Sequence, residues 1–238
     1  MLDATYPATP GKGAGRRAAE YHAAAMKPVT HPGAHPVAGG NVYDKYGTTN
    51  PIERRLVDGF LRRLGRLVER TGAREAHEIG CGEGELSLLL ARRGLRVIGT
   101  DPAPEVIAEA RRRAAEADVE VDFRTAFLEE LDPDRDGAEL ILCCEVIEHL
   151  DDPDAALEAV ASLARPWAIL SVPQEPLWRA LNVARLEYLS ELGNTPGHRH
   201  HWSRRGFLRF LERRLEVVEV QTPLPWTMAL CRNGSKTR

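Results

Sequence analysis

The chain contains the segment Glu78-Ile79-Gly80-Cys81-Gly82-Glu83-Gly84, in which glycine occupies every second position from residue 80 to residue 84. We predict a short strand at residues 76–79, which overlaps the start of this segment, and a helix at residues 85–93 directly after it. Glycine at alternate positions lets the backbone turn sharply and approach a ligand without an intervening Cβ atom. The pattern therefore predicts a strand, a tight ligand-binding loop and a helix in succession.

The charge of this loop indicates which ligands it suits. Loops that bind a pyrophosphate have the spacing GxGxxG at a helix N-terminus, whereas the spacing here is GxGxG. Glu83 and Glu85 also place negative charge at the start of the predicted helix, where they would repel a diphosphate. The loop is therefore better suited to a cationic or zwitterionic ligand, and a nicotinamide-dependent dehydrogenase is disfavoured.

An acidic residue ends the next predicted strand. Asp101 lies 17 residues after Gly84, close to the spacing of about 20 residues at which a carboxylate accepts hydrogen bonds from ribose hydroxyls. Asp101 could also cap the helix that begins near Pro104, and the glycine loop could be only a tight turn. Because both signals occur in one strand–helix–strand unit, we favour ligand binding.

Apolar runs of strand length alternate with helical patterns through most of the chain. A predicted amphipathic helix from Ile52 to Gly72 is followed by strands at residues 76–79, 95–101, 119–124, 140–144 and 167–172, with helices at 85–93, 104–117 and 153–164. Two last strands, at 215–220 and 226–231, are close enough in sequence to form an antiparallel hairpin. This order indicates an α/β protein with a mostly parallel sheet covered on both faces.

The length of 238 residues allows one large domain, or one domain with an appendage. Residues 1–40 are rich in Ala, Gly, Pro and His, and we expect a flexible N-terminal tail there, followed by one domain at 41–238. After Pro173 the alternation stops, and we predict helices at 175–192 and 203–214 on either side of a histidine-rich loop. We expect residues 174–203 to form a helical lid inserted after the fifth strand.

The overall charge limits the possible partners. The 32 basic and 35 acidic residues give a net charge of −3, so no global field attracts nucleic acid or an anionic membrane. No run approaches the ~20 apolar residues of a membrane span, and the four cysteines lack the spacing of a disulfide framework. We expect a cytoplasmic protein without a nucleic-acid or membrane partner, and the sequence gives no indication of its oligomeric state.

These segments together resemble the class I S-adenosylmethionine-dependent methyltransferases. Residues 78–84 resemble the first motif of that family, Asp101 its ribose-binding acid, and residues 143–150 the segment after its fourth strand. The resemblance covers residues 50 to 232. It implies a doubly wound, Rossmann-like sheet of seven strands with the last strand antiparallel, and S-adenosylmethionine as the cofactor.

The resemblance also implies a set of cofactor contacts. The glycine loop would lie under the methionine part, Asp101 would hold the ribose, and Pro102 would lie beside the adenine. Many relatives bind the adenine amine with an aspartate after the third strand, whereas this chain has Ala126 and Phe127 there. Phe127 could stack on the adenine or pack in the core. The implied cofactor-binding residues are Glu78, Gly80, Cys81, Gly82, Asp101, Pro102, Ala126, Phe127 and Glu145.

Candidate catalytic residues follow the fourth predicted strand. Methyl transfer depends mainly on alignment, but a hydroxyl acceptor also needs a base to remove its proton. Glu145, Glu148 and His149 have the spacing i, i+3, i+4, which predicts one face of a helical turn. We take Glu145, His149 and the more distant His198 as candidate catalytic residues, with either histidine as the base.

The same residues resemble a metal-binding set in the family that 2′-O-methylates the 3′ ends of small RNAs. There, Glu-x-x-Glu-His and a later histidine before an aromatic-Ser/Thr-Arg segment hold a divalent metal. The corresponding residues here would be Glu145, Glu148, His149 and His198, which suit Mg²⁺, Mn²⁺ or a transition ion. Metal-free small-molecule methyltransferases have this segment too, and the chain lacks the basic charge expected of an RNA-binding protein.

The predicted lid indicates the nature of the acceptor. Its aromatic and apolar residues could wall a small-molecule pocket, with Arg179, Arg185 and His198 orienting a carboxylate or phenolate, or they could be a helix packing stripe. We predict a methyltransferase that acts on a small molecule, with oxygen as the favoured atom and secondary metabolism as the favoured setting. The alternatives are a metal-dependent 2′-O-methyltransferase of RNA 3′ ends and a non-catalytic cofactor-binding partner subunit.

Overall fold

The computed structural model describes residues 50–177 and 199–234, which fold around one seven-stranded sheet. Its strands lie in the order β3-β2-β1-β4-β5-β7-β6. The strands from β3 to β5 pair in parallel, and β7 is antiparallel to both of its neighbours, as the predicted hairpin requires. The strands are β1 (Glu75–Ile79), β2 (Arg96–Asp101), β3 (Asp122–Thr125), β4 (Ala138–Cys144), β5 (Ala164–Pro173), β6 (Glu216–Gln221) and β7 (Trp226–Arg232).

Helices cover both faces of this sheet, which confirms the doubly wound α/β class. The first helix begins where the Asn50 side chain accepts a hydrogen bond from the Ile52 amide, and it ends at Gly72. The α-helices are α1 (Pro51–Thr71), α2 (Glu85–Arg92), α3 (Pro104–Glu116), α4 (Pro133–Asp136), α5 (Pro153–Leu163) and α6 (Arg204–Leu211). Two short 3₁₀ helices, Leu128–Glu130 and Ile147–His149, follow β3 and β4.

The alternation of side chains along β4 divides the core into two layers. Leu140 and Leu142 are fully buried in the cluster beneath α1 and α2. Ile141 and Cys143 point to the other face and are buried beneath α5 and α6. Because β4 is buried on both faces, it reads as a continuous apolar run, which is typical of a central parallel strand.

The predicted third strand at residues 119–124 begins three residues too early. α3 ends in a turn in which Asp118 has a φ of 51° and the Val119 amide donates to the Ala114 carbonyl. Val119 and Val121 then pack against a small apolar cluster that includes α3 residues. Their apolar side chains therefore reflect helix packing, and the chain joins the sheet only at Asp122.

Parts of two other predictions lie outside the described residues. The predicted tail at 1–40 falls entirely there, as do residues 178–198 of the predicted lid. The predicted helix at 203–214 is the shorter α6, for which the Ser203 side chain accepts a hydrogen bond from the Gly206 amide at the N-terminus. Among the helices of the described ranges, none is both long and apolar enough to span a membrane.

A buried histidine in β1 connects three parts of the fold. His77 is fully buried; its Nδ1 lies 2.8 Å from the Asp136 carbonyl oxygen and its Nε2 3.0 Å from Thr100 Oγ1. Because a carbonyl oxygen can only accept, Nδ1 carries a proton, whereas the Thr100 hydroxyl can act as donor or acceptor toward Nε2. Burial lowers the pKa of His77 and so favours the neutral ring.

This histidine predicts a loss of stability on mild acidification. The pKa of His77 is lowered in the folded protein, whereas in the unfolded chain it is about 6.5. On acidification, His77 therefore takes up its proton at a higher pH in the unfolded chain than in the folded protein. The unfolding free energy should therefore fall as the pH drops below that value. Urea titrations of wild type and His77→Gln between pH 7.5 and about 5 measure this. The stability difference between the two proteins should shrink with acidification, and a constant difference would contradict it.

Candidate active site

The carboxyl ends of the parallel strands bring the predicted site residues to one edge of the sheet. β1, β2 and β4 end at Ile79, Asp101 and Cys144, and the loops that follow these strands meet there. In open α/β sheets, ligands bind outside the carboxyl ends of the strands. The site lies where the strand order reverses, so that the connections after two neighbouring strands run to opposite faces of the sheet. The glycine loop, Asp101 and the segment after β4 therefore face one common region.

The alternating glycines have the backbone conformation that their spacing predicts. Gly80, Gly82 and Gly84 have φ angles of 69°, 53° and 85°. Residues other than glycine rarely adopt this left-handed backbone conformation. A Cβ atom added to Gly80 would lie 2.4 Å from Val146 Cγ2, and one added to Gly84 would lie 2.6 Å from Phe123 Cζ. The loop thus needs glycine both for its turns and for its close approach to neighbouring segments.

Asp101 is held directly against the glycine loop. Its Oδ2 accepts a hydrogen bond from the Gly82 amide at 3.1 Å, and its Oδ1 accepts one from the Ala103 amide at 3.0 Å. Burial raises the pKa of Asp101, while these two amide bonds act in the opposite direction and favour the ionised carboxylate. The loop and the acid, which the sequence linked only by spacing, are therefore in contact.

Two predicted cofactor-binding residues are buried at the glycine loop: Glu78 lies near the end of β1, and Cys81 lies within the loop. Glu78 is buried at the end of β1, where Ser87 of α2 donates a hydrogen bond to its carboxylate. Burial raises the pKa of the Cys81 thiol well above its usual range, and the nearby charges of Glu78 and Asp101 raise it further. A thiol with a raised pKa stays protonated and is a poor nucleophile, and the contact of Cys81 with the cofactor stays a prediction.

The residues predicted beside the adenine lie next to Asp101. Pro102 is half-buried, and the Ala126 amide donates to the Asp101 carbonyl at 3.2 Å, which joins the ends of β2 and β3. The Phe127 side chain is half-buried, and its amide donates to the Glu130 side chain at 2.9 Å. Both amides are thus engaged within the protein, and adenine contacts through this segment stay a prediction.

The predicted arrangement after β4 is wrong in one respect. Glu145 has a φ of 59°, its amide donates to the Ser171 carbonyl, and the helical turn begins only at Ile147. Glu148 is buried, with 1% of its surface exposed, whereas His149 is exposed. Because a left-handed residue and a 3₁₀ turn replace the expected α-helical turn, the i, i+3, i+4 spacing does not place Glu145, Glu148 and His149 on one face of a helix.

A distant segment packs against this turn. The Arg199 and His200 amides both donate to the Glu148 carbonyl, at 2.9 and 3.1 Å. On its other side, the Trp202 carbonyl accepts a hydrogen bond from the Glu175 amide at 3.1 Å. The segment at residues 199–202 therefore lies between the loop after β4 and the end of β5, and it completes this side of the site.

One residue of this segment, His201, pairs with a carboxylate at the end of β5, and the sequence did not single out this pair. His201 Nδ1 lies 3.5 Å from Glu175 Oε1, and the Glu175 side chain is 12% exposed. The histidine cluster itself was recognisable in the sequence, but its carboxylate partner lies 26 residues earlier. Among the predicted residues, His198 lies outside the described part of the chain.

The predicted metal set is incomplete among the residues described. Within residues 50–177 and 199–234, no group of three or more His, Cys, Asp or Glu side chains is arranged to hold a metal ion. The complete set requires His198, so the metal site stays a prediction. We therefore derive no step of the reaction through a metal.

Comparisons with known proteins agree with this fold and loop. The family described as "Methyltransferase domain" matches residues 76–167, which span β1 to β5. The ubiquinone biosynthesis O-methyltransferase of Xanthomonas euvesicatoria is 37% identical over 164 residues, covering 67% of this chain and 67% of that protein. Its counterpart in Xanthomonas campestris is 34% identical over 160 residues, 63% of this chain and 66% of that protein. The chain thus spans about two thirds of these relatives.

A solved structure shares the fold at lower identity. The magnesium protoporphyrin IX methyltransferase of Synechocystis with bound S-adenosylhomocysteine superposes with a TM-score of 0.61 at 20% sequence identity. The superposition covers 80% of this chain and 94% of that one. Together with the 37% identity to the Xanthomonas euvesicatoria protein, the sheet order and the glycine loop lead to one assignment. The chain belongs to the class I S-adenosylmethionine-dependent methyltransferase family.

Proposed function

We propose that the protein transfers the methyl group of S-adenosylmethionine to an oxygen atom of a small-molecule acceptor. The observation that carries this proposal is the 37% identity to an O-methyltransferase over two thirds of both chains. The contact between Asp101 and the glycine loop supports it, because the family resemblance assigns both of these features to cofactor binding. When bound, the cofactor supplies a methyl group on a positively charged sulfur.

The charges around the loop suit such a cation. Glu78, Glu83 and Asp101 lie within or beside the loop, so the local field is negative and favours a sulfonium and an ammonium group over a diphosphate. Asp101 would accept hydrogen bonds from the ribose hydroxyls with the oxygens that now bind two backbone amides. The glycine loop would lie against the methionine part, since it presents backbone without side chains.

The chemical class of the acceptor is proposed from the relatives, and its position from the segment that lies beside the end of β5. The Xanthomonas relatives are named for an O-methylation in ubiquinone biosynthesis, and we infer a small hydroxylated acceptor here as well. The backbone bridge between Gln174 and Trp202 holds the histidine-rich segment beside the end of β5, where we place the acceptor. A role in secondary metabolism and a lid at residues 174–203 belong to the same proposal.

Methyl transfer to a panel of acceptors tests the proposal. The full chain is incubated with S-adenosylmethionine labelled with ¹³C in the methyl group and with phenols, catechols, carboxylic acids, amines and thiols. We expect the label in a methyl ether, identified by the NMR shift of a methoxy carbon. Label found only on nitrogen, carbon or sulfur would contradict O-methylation. Cofactor binding without transfer to any acceptor would favour a non-catalytic partner subunit.

One observation favours the metal-dependent alternative as a second candidate. The hydrogen bonds from residues 199 and 200 to the Glu148 carbonyl bring the histidine-rich segment against the Glu-x-x-Glu-His segment, as a shared metal would require. Turnover is measured before and after chelation with EDTA, and again with added Mn²⁺, using small phenols and RNA with a free 3′ end. Loss and recovery of RNA methylation would support this candidate, and unchanged turnover after chelation would reject it.

A further inference from the structure

The pair formed by Glu175 and His201 lies at the edge of the sheet where the acceptor is proposed to bind. Glu175 is two residues beyond the end of β5, and its amide donates to the Trp202 carbonyl. Gln174 and Trp202 form an isolated parallel bridge, so the chain around His201 runs beside the extension of β5. The backbone thus fixes both members of the pair next to each other.

The direction of the His201 side chain follows from its neighbours. In an extended segment, side chains alternate between two sides. The His200 ring stacks on the Trp202 ring, with centroids 5.6 Å apart and an angle of 25° between the planes. Trp202 also packs against Phe207 and Phe210 of α6. His201 therefore points away from α6, and its Nδ1 approaches Glu175 Oε1 at 3.5 Å.

The carboxylate has the surroundings of a group that orients a histidine. Both oxygens of Glu175 are buried, and among the described residues neither accepts a hydrogen bond. Burying a carboxylate without hydrogen bonds is costly, and an N–H group on His201 Nδ1, 3.5 Å from Oε1, would offset part of this cost by electrostatic attraction. The His201 ring stays about one third exposed, with 35% of the side chain accessible. A proton on Nδ1 facing Glu175 makes Nε2 the basic nitrogen of the ring.

We propose that His201 accepts the proton of the acceptor hydroxyl during methyl transfer, and that Glu175 is the positioning residue that orients its ring. This inference rests on the proposed O-methylation. The acceptor oxygen forms a bond to the methyl carbon while the bond between that carbon and sulfur breaks, and the electron pair of the broken bond stays on sulfur. The hydroxyl proton moves to His201 Nε2. The resulting imidazolium is stabilised by the Glu175 carboxylate and releases its proton to water.

Two substitutions at His201 test the base. His201→Ala removes the ring, and His201→Gln keeps an N–H donor toward Glu175 but has no basic nitrogen. Because general base catalysis contributes about 10²–10⁴-fold, we expect kcat to fall about 100-fold or more in both variants. The Kd for S-adenosylhomocysteine and the KM for the acceptor should stay close to wild type. Added imidazole should restore part of the activity of His201→Ala, which a purely structural role would not allow.

Glu175→Gln and His200→Ala complete the experiment. Glu175→Gln removes the charge that stabilises the imidazolium, so we expect a smaller loss, about 10-fold in kcat, without a change in acceptor KM. His200→Ala is the matched control, because it removes a neighbouring imidazole that faces the opposite side, and its turnover should equal that of wild type.

The outcomes distinguish the base from the proposed function. Wild-type turnover in His201→Ala, or a lost turnover that imidazole does not restore while cofactor affinity falls, would overturn the role of His201. A wild-type protein that binds S-adenosylhomocysteine but methylates no hydroxyl rejects the proposed function and the base together. If the wild-type protein methylates hydroxyls and His201→Ala, His201→Gln and Glu175→Gln do so at the same rate, the base is rejected and the proposed function stands.

Discussion

Asp101→Ala should weaken the binding of S-adenosylhomocysteine about 100-fold or more, as measured by isothermal titration calorimetry. Hydrogen bonds to a charged group contribute about 1.5–3 kcal/mol each, and Asp101 is proposed to accept two of them from the ribose hydroxyls. Its carboxylate also fastens the glycine loop through the Gly82 amide, so its removal frees the turn that would hold the methionine part. Both effects act on the same ligand and in the same direction.

Glu105→Gln is the matched control for Asp101→Ala. Glu105 is exposed in the first turn of α3, and its negative charge contributes to raising the pKa of Asp101. The substitution removes a negative charge from the same neighbourhood without touching the carboxylate that faces the loop. We expect its cofactor affinity to stay close to wild type. A folded Asp101→Ala protein that binds S-adenosylhomocysteine as tightly as wild type would contradict the role of Asp101.

Gly80→Ala should destabilise the protein by about 2–5 kcal/mol, whereas Gly72→Ala should cost only about 1–2 kcal/mol. Both glycines have nearly the same left-handed backbone, with φ angles of 69° and 66°, so the conformational strain is shared. The added methyl group at Gly80 would lie 2.4 Å from Val146 Cγ2, whereas nothing lies within 4 Å at Gly72. Urea denaturation of both variants therefore separates strain from close contact.

A double substitution identifies the source of the larger loss. If the clash with Val146 carries it, then Gly80→Ala combined with Val146→Ala should be more stable than the sum of the two single losses predicts. Gly80→Ala should also weaken cofactor binding, because the loop must shift to admit the methyl group. Equal losses of stability for Gly80→Ala and Gly72→Ala would contradict the close approach of the loop to the segment after β4.

Local pattern was sufficient to predict most of the fold. The central strands β4 and β5 are buried on both faces along most of their length and appear as apolar runs, and the alternation of strands with helices indicated the parallel order. The GxGxG spacing likewise predicted a turn that only glycine tolerates, and all three glycines have positive φ angles. Periodicity failed at residues 119–121, because apolar residues that pack on a helix end resemble a strand start.

The chemistry after β4 depends on long-range contacts that no local pattern reveals. The spacing of Glu145, Glu148 and His149 predicted one face only if the turn was α-helical. The hydrogen bond from the Glu145 amide to the Ser171 carbonyl joins the start of this turn to β5. The pair of Glu175 and His201 forms for a similar reason, since the Glu148 carbonyl and the end of β5 hold residues 199–202 in place.

Calorimetric titration of the wild-type chain with S-adenosylhomocysteine and, separately, with NAD tests the central claim most directly. The acidic glycine loop in contact with Asp101 should bind the sulfur-containing nucleoside and exclude the diphosphate of the dinucleotide. We expect saturable binding of S-adenosylhomocysteine at a 1:1 ratio, weakened about 100-fold or more in Asp101→Ala, and no measurable heat with NAD. Binding of NAD with none of S-adenosylhomocysteine would contradict the account.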